Sequence, residues 1–428
     1  MIQVLSDWNF WSRDLDIGFR RSQYLDLMRR FEETGQVVVV TGLRRAGKST
    51  LIKQYIKSLI DAGADRKNFL YVNLEEARFA GELSLKFLQK AYESYLEIIR
   101  PSGKPRIFLD EVQHVEGLEK FVRGLHERNE AIVFVSGSSS KLLGKEFGTV
   151  LTGRHLDVVV FPFSFRELLE VNKINSGDKL EILSKKMLVK QLLRDYLAFG
   201  GLPLVVISKE KEILEKYFDD IILHDIAERH GIQKIDKLRV LAKYYLTNVG
   251  SPSSFRKISS FIGVSLDSVE RFTEFFKEAY LITSINFFSF SLKEQEVNPK
   301  KIYSLDLGLR NVISFRFLDD LGKLYENLVF IELFKSGNEI YYFKKKGECD
   351  FIVKKSSKII DAIQVCFTLT KENKGREVNG LLEALNELNL PQGLVITDDF
   401  EAKEVHGSKT ILFTPLWKWI LDTNTHVT

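Results

Sequence analysis

A chain of 428 residues is longer than one ordinary hydrophobic core supports and implies two or three domains. Its 44% hydrophobic and 28% charged residues exclude a mostly disordered chain, and no apolar run approaches the ~18 residues of a membrane span. A formal net charge of +4 excludes a globally basic surface, so binding of nucleic acid would need local patches. Two cysteines, Cys349 and Cys366, cannot build a disulfide framework or a cysteine-rich zinc site, and they fit a reducing, cytoplasmic setting. The N-terminal MIQVLSDWNFW has no basic stretch before an apolar core, so no secretory signal is expected there.

In chain order, Ile17 to Gln36 predicts a helix leading into the first strand. Arg20 and Arg21 on it make either a solvated basic face or an arm folded over a ligand. Val37 to Val40 is a buried strand by composition, Gly42 to Ser49 reads GLRRAGKS, and Leu51, Ile52, Tyr55, Ile56, Leu59 and Ile60 recur with helical period. Strand, Gly-bounded loop and helix form the setting in which G-x-x-x-x-G-K-[ST] holds phosphate. Gly42 and Gly47 are expected where a Cβ would crowd the phosphate or forbid the dihedrals. Lys48 would reach the β- and γ-phosphates, Ser49 would offer its hydroxyl to Mg²⁺, and Arg45, Ala46 and Thr50 complete the loop's ligand set. The helix N-terminus adds partial positive charge.

Phe69 to Asn73 predicts a second strand, followed by a helix to about Ile99. Arg106 to Val112, RIFLDEV, is a strand ending in two acids. Asp110 is placed to hold the Mg²⁺ shell opposite Ser49, and Glu111 to polarise the attacking water. Ala131 to Ser136 is the next buried strand. Beyond it, Ser138 either senses the γ-phosphate or joins Ser139 and Ser140 in capping a helix from Lys141. His155 to Val160 is a fifth strand, and Arg154 before it can point at the γ-phosphate of its own or a neighbouring subunit. This order predicts a doubly wound, mostly parallel α/β sheet with the nucleotide at the strand carboxyl ends.

GLRRAGKST, IFLDEVQ, VFVSGSSSKLL, LTGRHLDVVVFPFSFRELL and FGGLPLVV together resemble the prokaryotic, largely archaeal AAA+-type ATPases with a restriction-endonuclease-like C-terminal domain. The resemblance implies an ATPase module with Lys48, Ser49, Asp110 and Glu111 as its hydrolytic set, Arg154 as a finger and Pro203 near the adenine. No guanine-specifying N-K-x-D motif is present, which favours ATP over GTP.

From Ala227 to Ser314 the grammar changes. Phe255 to Ile262, a turn at Gly263, and Ser268 to Leu281 read as helix, turn, helix. A β-pair follows, Ile282 to Phe290 and Lys301 to Ser304, with a polar, lysine-containing tip. That is winged-helix order, but Asp267, Glu270, Glu274 and Glu278 outnumber Arg271 and Lys277 on the second helix, which would repel phosphates. The wing lysines Lys293, Lys300 and Lys301 are the better candidates for nucleic acid.

In the last hundred residues, a helix (Leu321 to Lys335), a strand pair around Lys344 to Lys346, a strand (Lys358 to Phe367), a helix (Asn379 to Leu388) and a strand (Gly393 to Thr397) resemble the PD-(D/E)XK nuclease fold. Glu326 and Asp350 match two of its site positions. The E-x-K position reads Gln364-Val365-Cys366, a weak ligand for a hard cation and no lysine, so a vestigial site that does not cut is expected. Lys371 or Lys374 could substitute from a later position. If Asp350 and Gln364 share a face, strand alternation turns the two cysteines apart, so that they do not bridge. The basic residues around this module are either a solvated face or an old nucleic-acid surface.

The expected layout is thus an ATPase domain over 1–215, a helical winged-helix domain over 216–317 and a nuclease-like domain over 318–428. The leading expectation is a Mg²⁺-dependent ATPase, with a homo-oligomer and DNA as its candidate partners, that couples nucleotide state to domain rearrangement in a DNA-associated task. The alternatives are an ATP-gated protein-interaction scaffold and an ATP-regulated nuclease.

Overall fold

The computed structural model describes residues 1–139, 151, 153–314 and 320–422. They gather into two compact units, Met1–Phe161 and Pro162–Thr428. Three sequence expectations fall outside the described residues: Ser140 as a cap, the helix beginning at Lys141, and the domain limit near 318.

The first unit is built on a five-stranded sheet, β1 (Val37–Gly42), β2 (Phe69–Asn73), β3 (Arg106–Asp110), β4 (Ile132–Ser136) and β5 (His155–Val160). Its order is β2-β3-β4-β1-β5, and every neighbouring pair is parallel. All six residues of β1 are buried, as a run of β-branched residues covered on both faces requires. Parallel strands end together, so the residues after Gly42, Asn73, Asp110 and Ser136 converge on one rim. The helix expected over Ile17 to Gln36 is shorter, Ser22–Glu32. Gln54 on the helix after the loop donates to the carbonyls of Ile17 and Phe19 at 2.7 and 2.5 Å, holding that stretch extended. An N-terminal helix, Ile2–Trp8, was not apparent from sequence patterning.

The second unit carries a nine-stranded mixed sheet, formed by β6 (Pro252–Ser253), β7 (Ile282–Phe287), β8 (Lys300–Ser304), β9 (Glu339–Lys344), β10 (Glu348–Lys355), β11 (Lys358–Val365), β12 (Gln392–Thr397), β13 (Ala402–His406) and β14 (Lys409–Pro415). The order β13-β14-β12-β11-β10-β9-β7-β8-β6 runs the hairpin and the C-terminal strands together, because β7 pairs in parallel with β9. The helices Phe255–Ile262 and Leu266–Glu278 flank the hairpin, with Gly263 left-handed between them (φ 71°) and Ser265 capping the second. The hairpin tip is a short helix, Leu292–Val297, where a polar loop was expected, and the first hairpin strand stops at Phe287.

A register shift between Cys349 and Ile352 of β10 overturns the strict alternation expected for the cysteines. Both are free, and both pack into one apolar cluster with Ile352, Ala362 and Leu381.

Candidate functional site

The loop between β1 and the helix Lys48–Asp61 is shaped by backbone constraints. Gly47 sits at φ 98°, a left-handed position that turns the chain into the helix. Gly42, at φ 141°, has the dihedral expected to demand glycine, and a Cβ there would also lie 2.1 Å from the Val160 carbonyl of β5. Arg45 is also left-handed (φ 65°) and exposed, Thr50 is exposed in the first turn of the helix, and Ala46 is buried with its N–H on the Leu43 carbonyl.

Lys48 is buried, and its Nζ donates to the carbonyls of Gly42 and Leu43 at 3.3 and 3.4 Å, long bonds for an ammonium group. Glu111 stands 3.9 Å away. Burial pushes the Glu111 carboxyl above its ordinary range, against the pull of Lys48. Its backbone is left-handed (φ 56°), a conformation that costs a non-glycine residue about 1 kcal/mol or more and turns the strand sharply after Asp110.

Asp110 is buried and held by two groups the sequence did not single out. The Tyr71 hydroxyl donates to its Oδ2, and Ser136 Oγ to its Oδ1. Ser136 Oγ also accepts the Glu111 amide N–H at 3.2 Å. Tyr71 reaches Ser49 as well, and burial followed by the Asp110 charge raises its hydroxyl well above the ordinary tyrosine range. One tyrosine therefore ties the loop serine to the strand aspartate. The signals were present in sequence: a hydroxylated ring in the otherwise apolar FLYVN, and a serine closing VFVS. Ser138, the residue chosen instead, is buried two positions further on.

Arg21 settles against the solvated alternative while Arg20 is exposed. The Arg21 guanidinium donates to the Ala46 carbonyl at 3.3 Å and the Phe161 carbonyl at 2.9 Å, and its amide N–H donates to Gln54 at 3.0 Å. For Arg154, the own-subunit alternative fails. Val37 pairs with His155 and Gly42 with Val160, so Arg154 lies at the opposite end of the sheet from the loop, about 20 Å away at ~3.3 Å per residue. It bonds Glu127 there at 2.5 Å and cannot serve the loop of its own subunit. Pro203 belongs to the second unit, where it opens the helix Pro203–Ser208.

The C-terminal residues form a second polar centre. Glu326, Asp350, Gln364 and Glu377 are buried beside a cavity of about 560 Å³. Gln364 accepts the Asp350 amide N–H at 3.1 Å and donates to Glu377 at 2.6 Å. Cys366 does not join them; it lies in the apolar cluster. Neither later lysine substitutes: Lys374 pairs with Glu404, and Lys371 is exposed. The lysine present comes from upstream. Lys301, expected on the wing surface, has 0% exposure and lies 3.4 Å from Glu326, 2.9 Å from Glu348 and 3.2 Å from Asp350. Burial and then Glu326 raise Asp350 to about 6. Burial also opposes ionisation of Glu326, but Lys301 and Lys323 hold it below its ordinary value. Nothing local in sequence links residue 301 to 326 and 350.

The exposed basic residues are interleaved with acids. Lys344 pairs with Glu348, Lys345 with Glu387, Lys354 with Glu339 and Arg376 with Glu377. Among the described residues, no helix is long and apolar enough to cross a membrane.

Residues 34–169 match the family model of an AAA domain. Residues 190–319 and 321–419 match two domains of unknown function, DUF8612 and DUF4143. The uncharacterized protein MJ1544 of Methanocaldococcus jannaschii is 32% identical over 406 residues, covering 90% of this chain and 88% of its own. An uncharacterized Haemophilus influenzae protein is 28% identical over 402 residues, covering 91% and 96%. Among solved structures, the Walker-type ATPase PABY2304 of Pyrococcus abyssi is 13% identical and covers 69% of this chain and 95% of its own, with a TM-score of 0.47.

Proposed function

The chain belongs to the family of the Methanocaldococcus jannaschii protein MJ1544 and contains an AAA domain, and on that footing we propose that it binds ATP with Mg²⁺ and hydrolyses it. The observation that carries this reading is the convergence of Lys48, Ser49, Asp110 and Glu111 on one rim of the parallel sheet, with Lys48 only loosely engaged. Ser49 and Asp110 would hold the cation, which when bound neutralises charge developing on the phosphates. Their fit rests on two oxygen donors suited to a hard cation, with Asp110 held in place by the Tyr71 and Ser136 hydroxyls.

The chain's own residues divide the work. The amides at the start of the helix Lys48–Asp61 and the Lys48 ammonium bind the phosphate oxygens. Glu111 takes the proton of the attacking water, a role suited by a carboxyl raised through burial. Arg21 fixes the loop through the Ala46 carbonyl. Ser138 remains the proposed γ-phosphate sensor, Pro203 the residue beside the adenine, and Arg154 a finger toward a neighbouring copy in an oligomer. Three successive family matches support a three-part division of the chain, and the helix pair with its hairpin and the helix–hairpin–strand order support reading the later parts as a winged-helix and a nuclease-like module.

For the partner, the second unit favours protein over DNA. Phe290, Leu292 and Val297 are 82%, 77% and 77% exposed at the hairpin tip, Lys301 is withdrawn, and the flanking helix is acidic. ATP turnover by the purified chain with Mg²⁺, lost in Lys48→Ala, tests hydrolysis. Unchanged turnover with added duplex DNA is expected; severalfold stimulation that fades with salt would restore the DNA-associated reading.

A further inference from the structure

We infer that the Lys301 ammonium is a resident cation standing where the nuclease-like reading calls for a divalent metal, which makes the C-terminal carboxylate cluster a metal-free clasp between the hairpin and the strands beyond it. The inference does not depend on the ATPase reading.

The donor set does not fit a metal. A hard divalent cation needs several carboxylate oxygens with free lone pairs, and Mg²⁺ needs them in near-octahedral array. Here all six oxygens of the three carboxylates are engaged. Glu326 Oε1 accepts from the Tyr303 hydroxyl at 2.7 Å and faces Lys301, while its Oε2 takes Lys323 at 2.7 Å. Glu348 divides its oxygens between Lys301 at 2.9 Å and Lys344 at 3.2 Å. Asp350 Oδ1 takes Lys301, and its Oδ2 takes the Val365 amide N–H at 3.1 Å. The Gln364 oxygen is occupied by the Asp350 amide N–H. Lys301, Lys323 and Lys344 offset the three carboxylates one for one, so an added divalent ion would enter a site already neutral. Among the described residues, no group of three or more His, Cys, Asp or Glu is placed to hold a metal ion.

The clasp explains two further features. A Cβ on Gly250, at φ 67°, would lie 2.5 Å from Glu326 Oε1, so the chain just before β6 must be glycine for the carboxylate to reach Lys301. Lys323 also donates to the Gly250 carbonyl at 3.1 Å, which ties the same turn to the cluster.

Mn²⁺ titration of the full chain without nucleotide, read by calorimetry, tests the inference in four proteins. Wild type and Asp350→Asn should give the same isotherm, with no site that depends on Asp350. Lys301→Met should gain a Mn²⁺ site at least tenfold tighter than any in wild type, and Lys301→Met/Asp350→Asn should lose it again. A wild-type Mn²⁺ site removed by Asp350→Asn overturns the inference, whether or not Lys301→Met folds. A folded Lys301→Met that gains no site overturns it equally.

Discussion

Lys48 and Lys301 are both buried beside carboxylates, and they are opposites. Lys48, 4% exposed, has two long bonds to loop carbonyls and its nearest carboxylate at 3.9 Å. Lys301, at 0%, touches three carboxylates within 2.9 to 3.4 Å, each with its remaining oxygen occupied. A buried charge left partly unsatisfied is expensive, and it is tolerated where a ligand will complete it. A buried charge fully compensated belongs to structure. Pairing alone does not distinguish a site from a clasp; the completeness of the pairing does.

The sharpest break in this comparison is expected at the first lysine. Lys48→Ala should lower ATP turnover by about 10²-fold or more, because its charge is placed for the phosphates and has little else to hold. Glu111→Gln should lower turnover by about 10²- to 10⁴-fold while ATP is still retained on a filter or by calorimetry. Burial raises the Glu111 carboxyl, and a protonated glutamate is no base. Turnover should therefore fall with decreasing pH through a midpoint above that of an ordinary glutamate, about 4.3. An acid limb at or below that value would mean that Glu111 is not the base or is not buried when working.

At the second lysine the expected loss is of stability. Lys301→Met removes one partner from the buried Glu326 and Asp350 and from the half-buried Glu348, which should cost about 3–5 kcal/mol in urea denaturation of the full chain. A loss under about 1 kcal/mol would place Lys301 among surface pairs and dissolve the contrast with Lys48.

The two centres also differ in how much of them the sequence disclosed. The loop, both strand-end acids and the parallel order were legible because the P-loop site is built from short segments whose neighbours in sequence carry the signal. GLRRAGKS follows its strand directly, and Asp110 and Glu111 close theirs. Tyr71 and Ser136 went unnoticed because they act on Asp110 across the sheet, 39 and 26 residues away. Glu326 and Asp350 were legible as members of a helix–hairpin pattern. Lys301 was not, since only the pairing of β7 with β9 brings the hairpin beside the C-terminal strands. Its lysine-rich setting suggested a surface, and strand alternation cannot reveal which face another strand will cover. The register shift in β10 likewise defeated the reading of the cysteines.

Tyr71 offers a finer test of the poised site. Tyr71→Phe removes the donor to Asp110 and the link to Ser49 while keeping the ring, a loss of about 1–1.5 kcal/mol for one buried hydrogen bond. Turnover at limiting Mg²⁺ should fall by roughly tenfold and recover in part as Mg²⁺ is raised. An equal fall at all Mg²⁺ concentrations would assign Tyr71 to packing of the sheet and leave Ser49 and Asp110 positioned without it.

The smallest effect is expected at Arg154, and its size depends on assembly. The arginine is a sheet-length from the loop and already bonded to the exposed Glu127, so in a lone subunit Arg154→Ala should change turnover by less than about twofold. A neighbouring copy alters this, because a finger supplied in trans is worth about 10³-fold or more in related phosphoryl-transfer chemistry. Turnover per subunit should then rise with protein concentration in wild type and stay flat in Arg154→Ala. Mixing Arg154→Ala with Lys48→Ala separates the cases, since each variant lacks what the other keeps. Restored turnover in the mixture would mean that Arg154 from the Lys48→Ala chain reaches the intact loop of its partner. A flat response in both experiments would confine Arg154 to its pair with Glu127 and leave the rim residues of one subunit to do the chemistry alone.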